Sequence, residues 1–435
     1  MATPDVDEGA DLTAPLTDSE FYAGDPFPLY ARLRSEAPLA RNETVGFWVA
    51  SRHADVVTIS RDPETFCSGR GIMVFEIGSE YTTPPTMMHT DPPEHTRYRS
   101  LVQPGFRPSF IRALEDGVRR RTVTLVDRIE PGVPVDVVPE LTVPLPLQVI
   151  SDLLGVPEDE WPRFFRWSEA VIPGATDWPE EERAALSAEM IAYLLAAAAA
   201  RRAHPLDDII SELGAAEVDG DRLSDDELAM FLVQLLVAGN ETTRNMMSGG
   251  LLGFAGAPSQ WPALRKKVGA RAGAGAGAVL GEGVGLGAGA GPGEGIGLGE
   301  GAGRAVPIAV EEMLRWTTPV VAFMRTTTRP VELAGRRLDA GEPILMLYAS
   351  ANRDEAVFGA GADRFDAARD PNPHVAFGFG PHFCIGAVLA RLEGRILLEE
   401  LLARFESIEV AGPVVRTASP VIAGIRSAPL VFGAG

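Results

Sequence analysis

The sequence predicts a mainly α-helical protein with a minor antiparallel β-sheet. Amphipathic helical patterns dominate residues 21–257, and a further helical pattern covers about 385–405. Short β-like runs bounded by glycine turns lie between 320 and 350 and near the carboxy terminus. Because the helical patterns are long and the β-like runs are few, we expect helices to form most of the core.

Charge and composition narrow the possible function classes. The 435-residue chain carries 39 Lys and Arg against 60 Asp and Glu, and its net charge of −21 argues against non-specific nucleic-acid binding. The two cysteines, Cys67 and Cys384, lie far apart in the chain and suggest no disulfide framework. The most apolar helical run, 186–200, is shorter than the roughly 20 residues that a bilayer requires. We therefore expect a soluble cytoplasmic protein without a membrane anchor.

The amino-terminal half begins with an acidic, proline-containing segment, 1–20, which we expect to be flexible. Amphipathic patterns then predict helices at 110–129, 158–172, 179–202 and 207–213. Ser224, followed three residues later by Glu227, forms a capping box that begins a long helix reaching at least Thr243. Since this helix carries little charge for several turns, it should be buried in a large core.

A low-complexity segment interrupts the chain at 269–304. From 273 to 303 every odd position is glycine except Val279. This period of two excludes a collagen repeat, and it also excludes a G-x-G-x-x-G phosphate-binding fingerprint. Alternating glycine cannot offset its backbone entropy by burial, so we expect a flexible surface loop, with silk-like β stacking as the alternative.

The elements after this segment are shorter. Pro307 predicts the start of a helix at 308–316, and strand-like runs follow at Val331–Leu333 and 343–348. A strand–turn–strand pattern lies near the carboxy terminus. In the short helix, Glu312 and Arg315 lie three positions apart on one face, so their charges can pair.

The most informative stretch, 374–386, is a glycine-punctuated loop that delivers Cys384 to the start of a helix. A helix amino terminus lowers the pKa of a thiol and favours the thiolate. The glycines at 378, 380 and 386 allow the backbone to approach a flat partner closely, and two phenylalanines, Phe377 and Phe383, would keep water from the sulfur. Two alternatives are a buried structural cysteine and a zinc pair of His382 with Cys384.

This loop resembles the haem-binding loop F-G-x-G-x-H-x-C-x-G of the cytochrome P-450 family, with every defining position filled. Residues 238–243 are similar to the family's A-G-x-D/E-T-T segment, and Glu312 with Arg315 matches its E-x-x-R, which Arg364 is expected to join. The resemblance covers the chain from about Phe21. It implies one haem-thiolate monooxygenase domain, 21–435, with haem b buried between a long central helix and the cysteine-bearing loop.

The resemblance also implies roles for individual residues. Cys384 would be the iron ligand. Glu241 would conduct protons and Thr242 would hydrogen-bond the oxygen, although such an acid–alcohol pair taken alone is also compatible with a charged spot on a helix. The other haem contacts are expected from Ala238, Phe377, Gly378 and Gly386. The propionate partners are expected to be His95, Arg99, Arg325 and His374, with solvent-facing charge as the alternative.

Substrate and redox partners follow by the same resemblance. The expected substrate pocket is apolar, with plain core packing as the alternative for each residue: Met73, Val237, Ala238, Val321, Ala322, Phe323, Val421 and Ile422. The sequences at residues 238–245 and 350–355 resemble those of bacterial members of the family that hydroxylate sterol side chains or branched lipids. Seven arginines between 97 and 121 form a basic island that either docks an acidic ferredoxin or is a solvated helix face.

We therefore expect a monooxygenase that activates dioxygen to hydroxylate an apolar small molecule, with electrons from a separate ferredoxin and its reductase. The alternatives are a peroxide-using or non-oxygenating haem-thiolate enzyme and a non-catalytic haem sensor. The intact pair of Glu241 and Thr242 favours dioxygen activation.

Overall fold

The structure, a computed structural model, describes residues 11–78, 86–171, 178–272 and 302–434. It is mainly helical with small sheets, as the sequence predicts. The helices are α1 Ser19–Ala23, α2 Phe27–Glu36, α3 His53–Arg61, α4 Glu94–Val102, α5 Pro108–Ala113, α6 Glu115–Val126, α7 Pro144–Leu153, α8 Trp161–Val171, α9 Glu180–Ala203, α10 Ile209–Ala215, α11 Asp225–Gly256, α12 Gln260–Ala272, α13 Ala305–Thr317, α14 Tyr348–Ala351, α15 Glu355–Phe358 and α16 Ala387–Arg404. The strands are β1 Leu39–Asn42, β2 Phe47–Ala50, β3 Phe66–Cys67, β4 Val135–Asp136, β5 Phe323–Thr327, β6 Val331–Leu333, β7 Arg336–Leu338, β8 Pro343–Met346, β9 Phe405–Val410, β10 Val415–Arg416, β11 Ile425–Ser427 and β12 Pro429–Ala434.

Helix α11 runs through the core and packs against α7, α8, α9, α13 and α16. Its start is the predicted capping box, in which the Glu227 N–H donates to Ser224 Oγ (3.2 Å) and the Ser224 N–H donates to Glu227 Oε2 (2.7 Å). Small residues let its neighbours approach closely. A Cβ at Gly253 would lie 2.7 Å from Cδ2 of Phe365, so only glycine allows this contact. The predicted burial of the long helix is therefore confirmed.

The largest sheet has five strands in the order β1-β2-β8-β5-β3. It is mixed and not purely antiparallel, because β2 and β8 run parallel while the other neighbours are antiparallel. These two strands are separated by almost 300 residues of intervening chain, so no hairpin fixes their relative direction. A second sheet, β4-β12-β9, is antiparallel throughout and packs against α11 and α12 through β9.

The amino-terminal segment differs from the flexible stretch expected at 1–20. Leu16 is fully buried in a cluster with Tyr22 and Tyr30, and the Tyr22 hydroxyl donates to the Leu16 carbonyl oxygen (3.0 Å). The acidic composition of the segment does not predict that Leu16 anchors it to the core. Residues 1–10 lie outside the described part of the chain, as does most of the predicted glycine-rich loop 269–304, whose ends continue α12 to Ala272 and form a 3-10 turn at Ala302–Arg304.

Among the described residues, helix α9 is long and apolar enough to cross a membrane, judged by length and composition alone. Only 22% of its most apolar stretch is buried. Its first turn carries three glutamates, and its buried residues recur every four positions. They lie on the side that packs against α8, α10 and α11. This spacing is typical of a helix that covers a protein core with one face.

A buried ionic network fixes the segment that leads to the cysteine loop. Glu312 and Arg315 are fully buried and pair twice, from Arg315 Nε to Oε2 and from Nη2 to Oε1 of Glu312 (both 2.7 Å). The expected third member, Arg364, contributes only its backbone carbonyl, which accepts from Arg315 Nη2 (2.9 Å). Arg369 is the side chain that joins the pair, with Nε donating to Glu312 Oε2 (3.1 Å). The expectation for the Arg364 side chain is therefore wrong.

The cysteine loop is shaped by two glycines in the left-handed region, Gly378 (φ +69°) and Gly380 (φ +70°). A Cβ at Gly380 would overlap the carbonyl oxygen of Ser60 in α3, whereas the nearest atom to a Cβ at Gly378 would be the carbonyl oxygen of His382 at 3.8 Å. Gly380 is thus required both for its backbone conformation and for close packing on α3.

Replacing Arg369 by alanine should lower the free energy of unfolding by about 3 kcal/mol, because it leaves the buried Glu312 carboxylate partly uncompensated. Chemical denaturation measures this change. The matched control is Arg364→Ala, which keeps the backbone carbonyl and should cost no more than about 0.5 kcal/mol. Equal losses in the two variants would contradict the role of Arg369.

Alanine at position 380 should destabilise the protein by about 1–3 kcal/mol more than alanine at position 378. Both substitutions force a residue with a Cβ into positive φ, but only Gly380→Ala also collides with the Ser60 backbone. Thermal unfolding of the two variants compares them directly, and a larger loss for Gly378→Ala would show that the contact with α3 does not constrain the loop.

Candidate functional site

Cys384 lies just before α16, which begins after Gly386. Burial raises the pKa of its thiol. The backbone N–H groups of Gly386 and Ala387 and the nearby guanidinium groups of Arg99 and Arg391 act in the opposite direction and lower that pKa. The residue nevertheless keeps solvent-accessible surface. These donors are the groups that stabilise a thiolate.

The aromatic and glycine neighbours of Cys384 lie as the loop pattern suggests. The Cys384 N–H donates to the Phe377 carbonyl oxygen (2.9 Å), and the rings of Phe377 and Phe383 meet edge to face with centroids 6.0 Å apart. Arg391 covers the Phe377 ring at 4.6 Å. A Cβ at Gly386 would lie 3.9 Å from the Cys384 sulfur. The loop therefore brings two aromatic rings together next to the backbone that carries the thiol, while Cys384 and Phe383 stay exposed.

Four cationic or potentially cationic side chains gather near this loop: His95, Arg99, Arg325 and His382. The rings of His95 and His382 lie with centroids 4.1 Å apart. Burial and the charge of Arg325 lower the pKa of His382 to about 2, and burial and Arg99 lower the pKa of His95 to about 4. Burial is the larger cause of both pKa shifts, and the positive charges of Arg325 and Arg99 lower the pKa values further.

This cluster lacks a matching carboxylate in the described part of the protein. His95 Nε2 is buried without a hydrogen-bond partner there. Arg325 is buried and donates only to the neighbouring Met324 carbonyl oxygen (2.6 Å). Asp91 is close enough to raise the pKa of His95 and Arg325, but its oxygens accept the N–H groups of Ser68 (2.7 Å) and Gly69 (2.9 Å). The cluster therefore offers positive charge and hydrogen-bond donors to an anion.

His374 does not belong to this cluster. Its Nε2 lies 3.1 Å from Glu311 Oε2, and its Nδ1 accepts the N–H of Ala376 (3.2 Å). Arg391 also pairs with Glu311, and although burial opposes them, Arg391 and His374 hold the pKa of that carboxyl far below its usual range. Both ring nitrogens of His374 thus have protein partners, and its propionate role stays a prediction.

His382 lies among these cationic groups, with its Nε2 3.1 Å from Ser68 Oγ, although the sequence analysis treats it only as half of a zinc pair. Its fixed position two residues before the cysteine of the loop was the signal that could have identified it. The zinc alternative gains no support, since within the described ranges no three His, Cys, Asp or Glu side chains form a group that could hold a metal ion.

On α11, Ala238 and Thr242 lie one turn apart on the same face. Ala238 is exposed although most of the helix around it is buried, so this face of α11 is accessible. The Thr242 hydroxyl donates to the Ala238 carbonyl oxygen (2.5 Å). The structure thus places a small side chain and a hydroxyl on the same accessible face of α11.

Glu241 faces a different side of α11. Its Oε1 accepts from Arg244 Nη2 (2.7 Å) and Asn245 Nδ2 (2.9 Å), and Arg244 also donates to Glu169 Oε1 of α8 (2.7 Å). Glu241 Oε2 is buried and has no partner among the described residues. Burial raises the pKa of this carboxyl, which favours its protonated form.

Most of the predicted substrate-pocket residues form one apolar cluster. Val421 and Ile422 are its centre, and Met73, Val237 and Phe323 pack against them. Val320, which the sequence analysis does not name, packs there as well.

Two predicted pocket residues lie elsewhere. Val321 and Ala322 are only 3% and 4% exposed and belong to the amino-terminal cluster that contains Leu16. Both precede β5 and are not part of a strand, so no regular alternation predicts which cluster they join.

The predicted basic island is mostly neutralised within the chain. Arg107 pairs with Glu212 (2.9 Å), and Arg119 pairs with Glu399 and Glu400 (both 2.7 Å). Arg97 and Arg121 are each paired with two acids as well. The acids come from distant parts of the sequence, so local composition could not reveal them.

An iron porphyrin with two propionates fits these groups. The thiol of Cys384 has backbone donors that favour a thiolate ligand, the unsatisfied His95 and the unpaired Arg325 suit carboxylates, and the glycine loop lets backbone approach a flat ring. The exposed Ala238 leaves room along α11.

Known proteins agree with this arrangement. The sequence model of the family described as Cytochrome P450 matches residues 306–417. A putative cytochrome P450 126 of Mycobacterium tuberculosis is 38% identical over 94% of this chain and 95% of its own length. A methyl-branched lipid omega-hydroxylase of Mycobacterium bovis is 36% identical over 93% of this chain and 90% of its own length. A steroid C26-monooxygenase of M. tuberculosis is 34% identical over 99% of this chain and 97% of its own length.

Solved structures show the same fold. Cytochrome P450 CYP109Q5 from Chondromyces apiculatus superposes with a TM-score of 0.80 at 32% identity, covering 98% of both chains. CYP109E1 from Bacillus megaterium in complex with testosterone gives a TM-score of 0.77 at 29% identity, covering 94% of this chain and 99% of the other. This protein therefore belongs to the cytochrome P450 family and is a monooxygenase whose cofactor is haem b.

Proposed function

We propose that Cys384 is the proximal iron ligand of the haem and that His95, Arg99, Arg325 and His382 hold its propionates. The observation that carries this proposal is a cluster of donors without a paired carboxylate among the described residues, next to a thiol with its own backbone donors. Bound haem supplies the iron at which dioxygen is activated, and a thiolate ligand favours O–O cleavage. The residues of the chain then bind the cofactor, exclude water and deliver protons.

Thr242 and Glu241 divide the proton delivery between them. The Thr242 hydroxyl lies at the opening beside Ala238 and can turn from the Ala238 carbonyl to hold a hydrogen bond at the distal side. Glu241 stores a proton, because burial raises the pKa of its carboxyl and its Oε2 has no other partner in the described residues. An intact acid and hydroxyl support dioxygen activation over use of preformed peroxide.

The substrate is proposed to be an apolar small molecule of the sterol or branched-lipid class. The apolar cluster around Val421 and Ile422 presents aliphatic and aromatic side chains. The relatives whose names state a lipid or steroid substrate support the same class.

Electrons are proposed to come from a separate ferredoxin and its reductase. Of the basic island, Arg112 and Arg120 are exposed and have no ion pair within the described residues, so they are the cations left for an acidic partner. A cytoplasmic location belongs to the same proposal and is supported by two free thiols, Cys67 and Cys384.

Cys384→Ala should abolish the red-shifted absorption band that a thiolate-ligated haem gives when reduced and bound to carbon monoxide. The reason is that alanine removes the only atom proposed to ligate the iron from the protein side. Cys67→Ala is the matched control and should leave the band intact, because Cys67 is a buried strand residue that pairs with Thr326. Survival of the band in Cys384→Ala with its loss in Cys67→Ala would reverse the assignment.

Thr242→Ala should keep haem and substrate binding but divert electrons from product to hydrogen peroxide, by about tenfold or more in the product-to-peroxide ratio. Thr242→Ser retains the hydroxyl and should behave like the wild type. The measurement is product and peroxide formed per NAD(P)H consumed with a supplied ferredoxin and reductase. Unchanged coupling in Thr242→Ala would remove Thr242 from the proton path.

A further inference from the structure

A second cleft lies on another side of α11 from the proposed haem face. Arg244 lines it, and this residue follows Thr242 by two positions, which places it about 200° around the helix. The cleft has a volume of about 770 Å³. Its walls come from the segment before α7, from α7 and α8, and from β11. The apolar lining includes Val143, Leu147, Trp161, Phe165, Trp178 and Ile425.

Two buried donors in the walls of this cleft lack partners within the described ranges. The indole N–H of Trp161 and the Nε–H of Arg244 are buried without a hydrogen-bond partner among the described residues. Arg426 lines the cleft, is exposed, and has no ion pair in the same part of the chain. Glu158 and Glu169 also line it, but each carboxylate already faces an arginine.

Size and lining match a small-molecule site. Ligand clefts usually measure 300–1,000 Å³ and combine apolar or aromatic walls with a few polar groups that orient the ligand. Arg121 stacks on the Trp161 ring at 4.6 Å and holds that wall in place. The exposed guanidinium of Arg426 offers an anionic oxygen of a ligand a charge-assisted hydrogen bond.

We propose that this cleft binds an apolar ring compound that carries an anionic oxygen group, a carboxylate or sulfonate. The rings lie between Trp161, Phe165 and Trp178, and the anion faces Arg426. Such a ligand contacts Arg244, the residue that holds Glu241. It therefore reaches the proton-delivering side of the haem pocket without entering that pocket.

The test uses 8-anilinonaphthalene-1-sulfonate with the haem-loaded protein. Isothermal titration calorimetry should show one saturable site, and the same titration followed in the haem spectrum should show no spin-state change. The neutral N-phenyl-1-naphthylamine, which lacks the sulfonate, should bind about tenfold more weakly because it cannot pair with Arg426.

Three variants locate the site. Arg426→Gln should weaken binding of the sulfonate about tenfold, and Gln148→Trp, which fills the cleft from the α7 wall, should abolish it. Trp161→Phe keeps the ring but loses the N–H and should weaken binding less than Gln148→Trp. Arg337→Gln, an exposed arginine on β7 outside the cleft, should bind like the wild type.

Each variant is first confirmed to be folded and haem-loaded by its absorption spectrum. Two results would overturn the proposal. One is sulfonate binding that persists unchanged in both Arg426→Gln and Gln148→Trp. The other is a haem spectral shift with the same midpoint as the calorimetric binding, which would place the ligand in the haem pocket. Neither result bears on Cys384 as the iron ligand, so the two proposals fail independently.

Discussion

The buried pair of Glu312 and Arg315 is the interaction on which the rest of the site depends. Both side chains are removed from water, which is costly unless every charge and hydrogen-bonding group is matched. Here Glu312 also accepts from the N–H of Asp366 (2.7 Å) and from Asn372 Nδ2 (3.0 Å). Arg315 donates to carbonyls in the chain that leads toward the cysteine loop: Asn352, Ala362 and Arg364. One helix turn therefore fixes a long irregular segment.

That irregular segment positions the Cys384 thiol through a short series of hydrogen bonds and backbone contacts. Asn352 Oδ1 accepts the N–H of Val375 (2.7 Å), and two residues later the Phe377 carbonyl accepts the N–H of Cys384. Gly380 meets the Ser60 backbone from the other side. An irregular loop has no regular ladder of backbone hydrogen bonds. The contacts with α3, and with α13 through Arg315 and Asn352, therefore hold it in one conformation.

Local chemistry could be predicted from the sequence, and long-range pairing could not. The capping box at Ser224 and the glycine pattern around Cys384 depend on neighbours within a few residues, so the sequence contains all that determines them. The choice between Arg364 and Arg369 depends on where an irregular segment brings each side chain. The same is true of the two histidines of this stretch, because the fold and not the spacing brings His374 to Glu311 and His382 to His95.

Helix α11 separates two chemical environments because its faces carry different side chains. The face with Ala238 and Thr242 is small and open, which suits a flat cofactor and a diatomic molecule. The face with Glu241 and Arg244 is ionic and buried, and there Arg244 is shared between Glu241 and Glu169 of α8. Two carboxylates around one guanidinium cannot both be fully compensated, and the charge of Glu169 raises the pKa of Glu241 further. The proton-delivering role proposed for Glu241 therefore depends on how α8 packs on α11, because Glu169 of α8 shares Arg244 with Glu241.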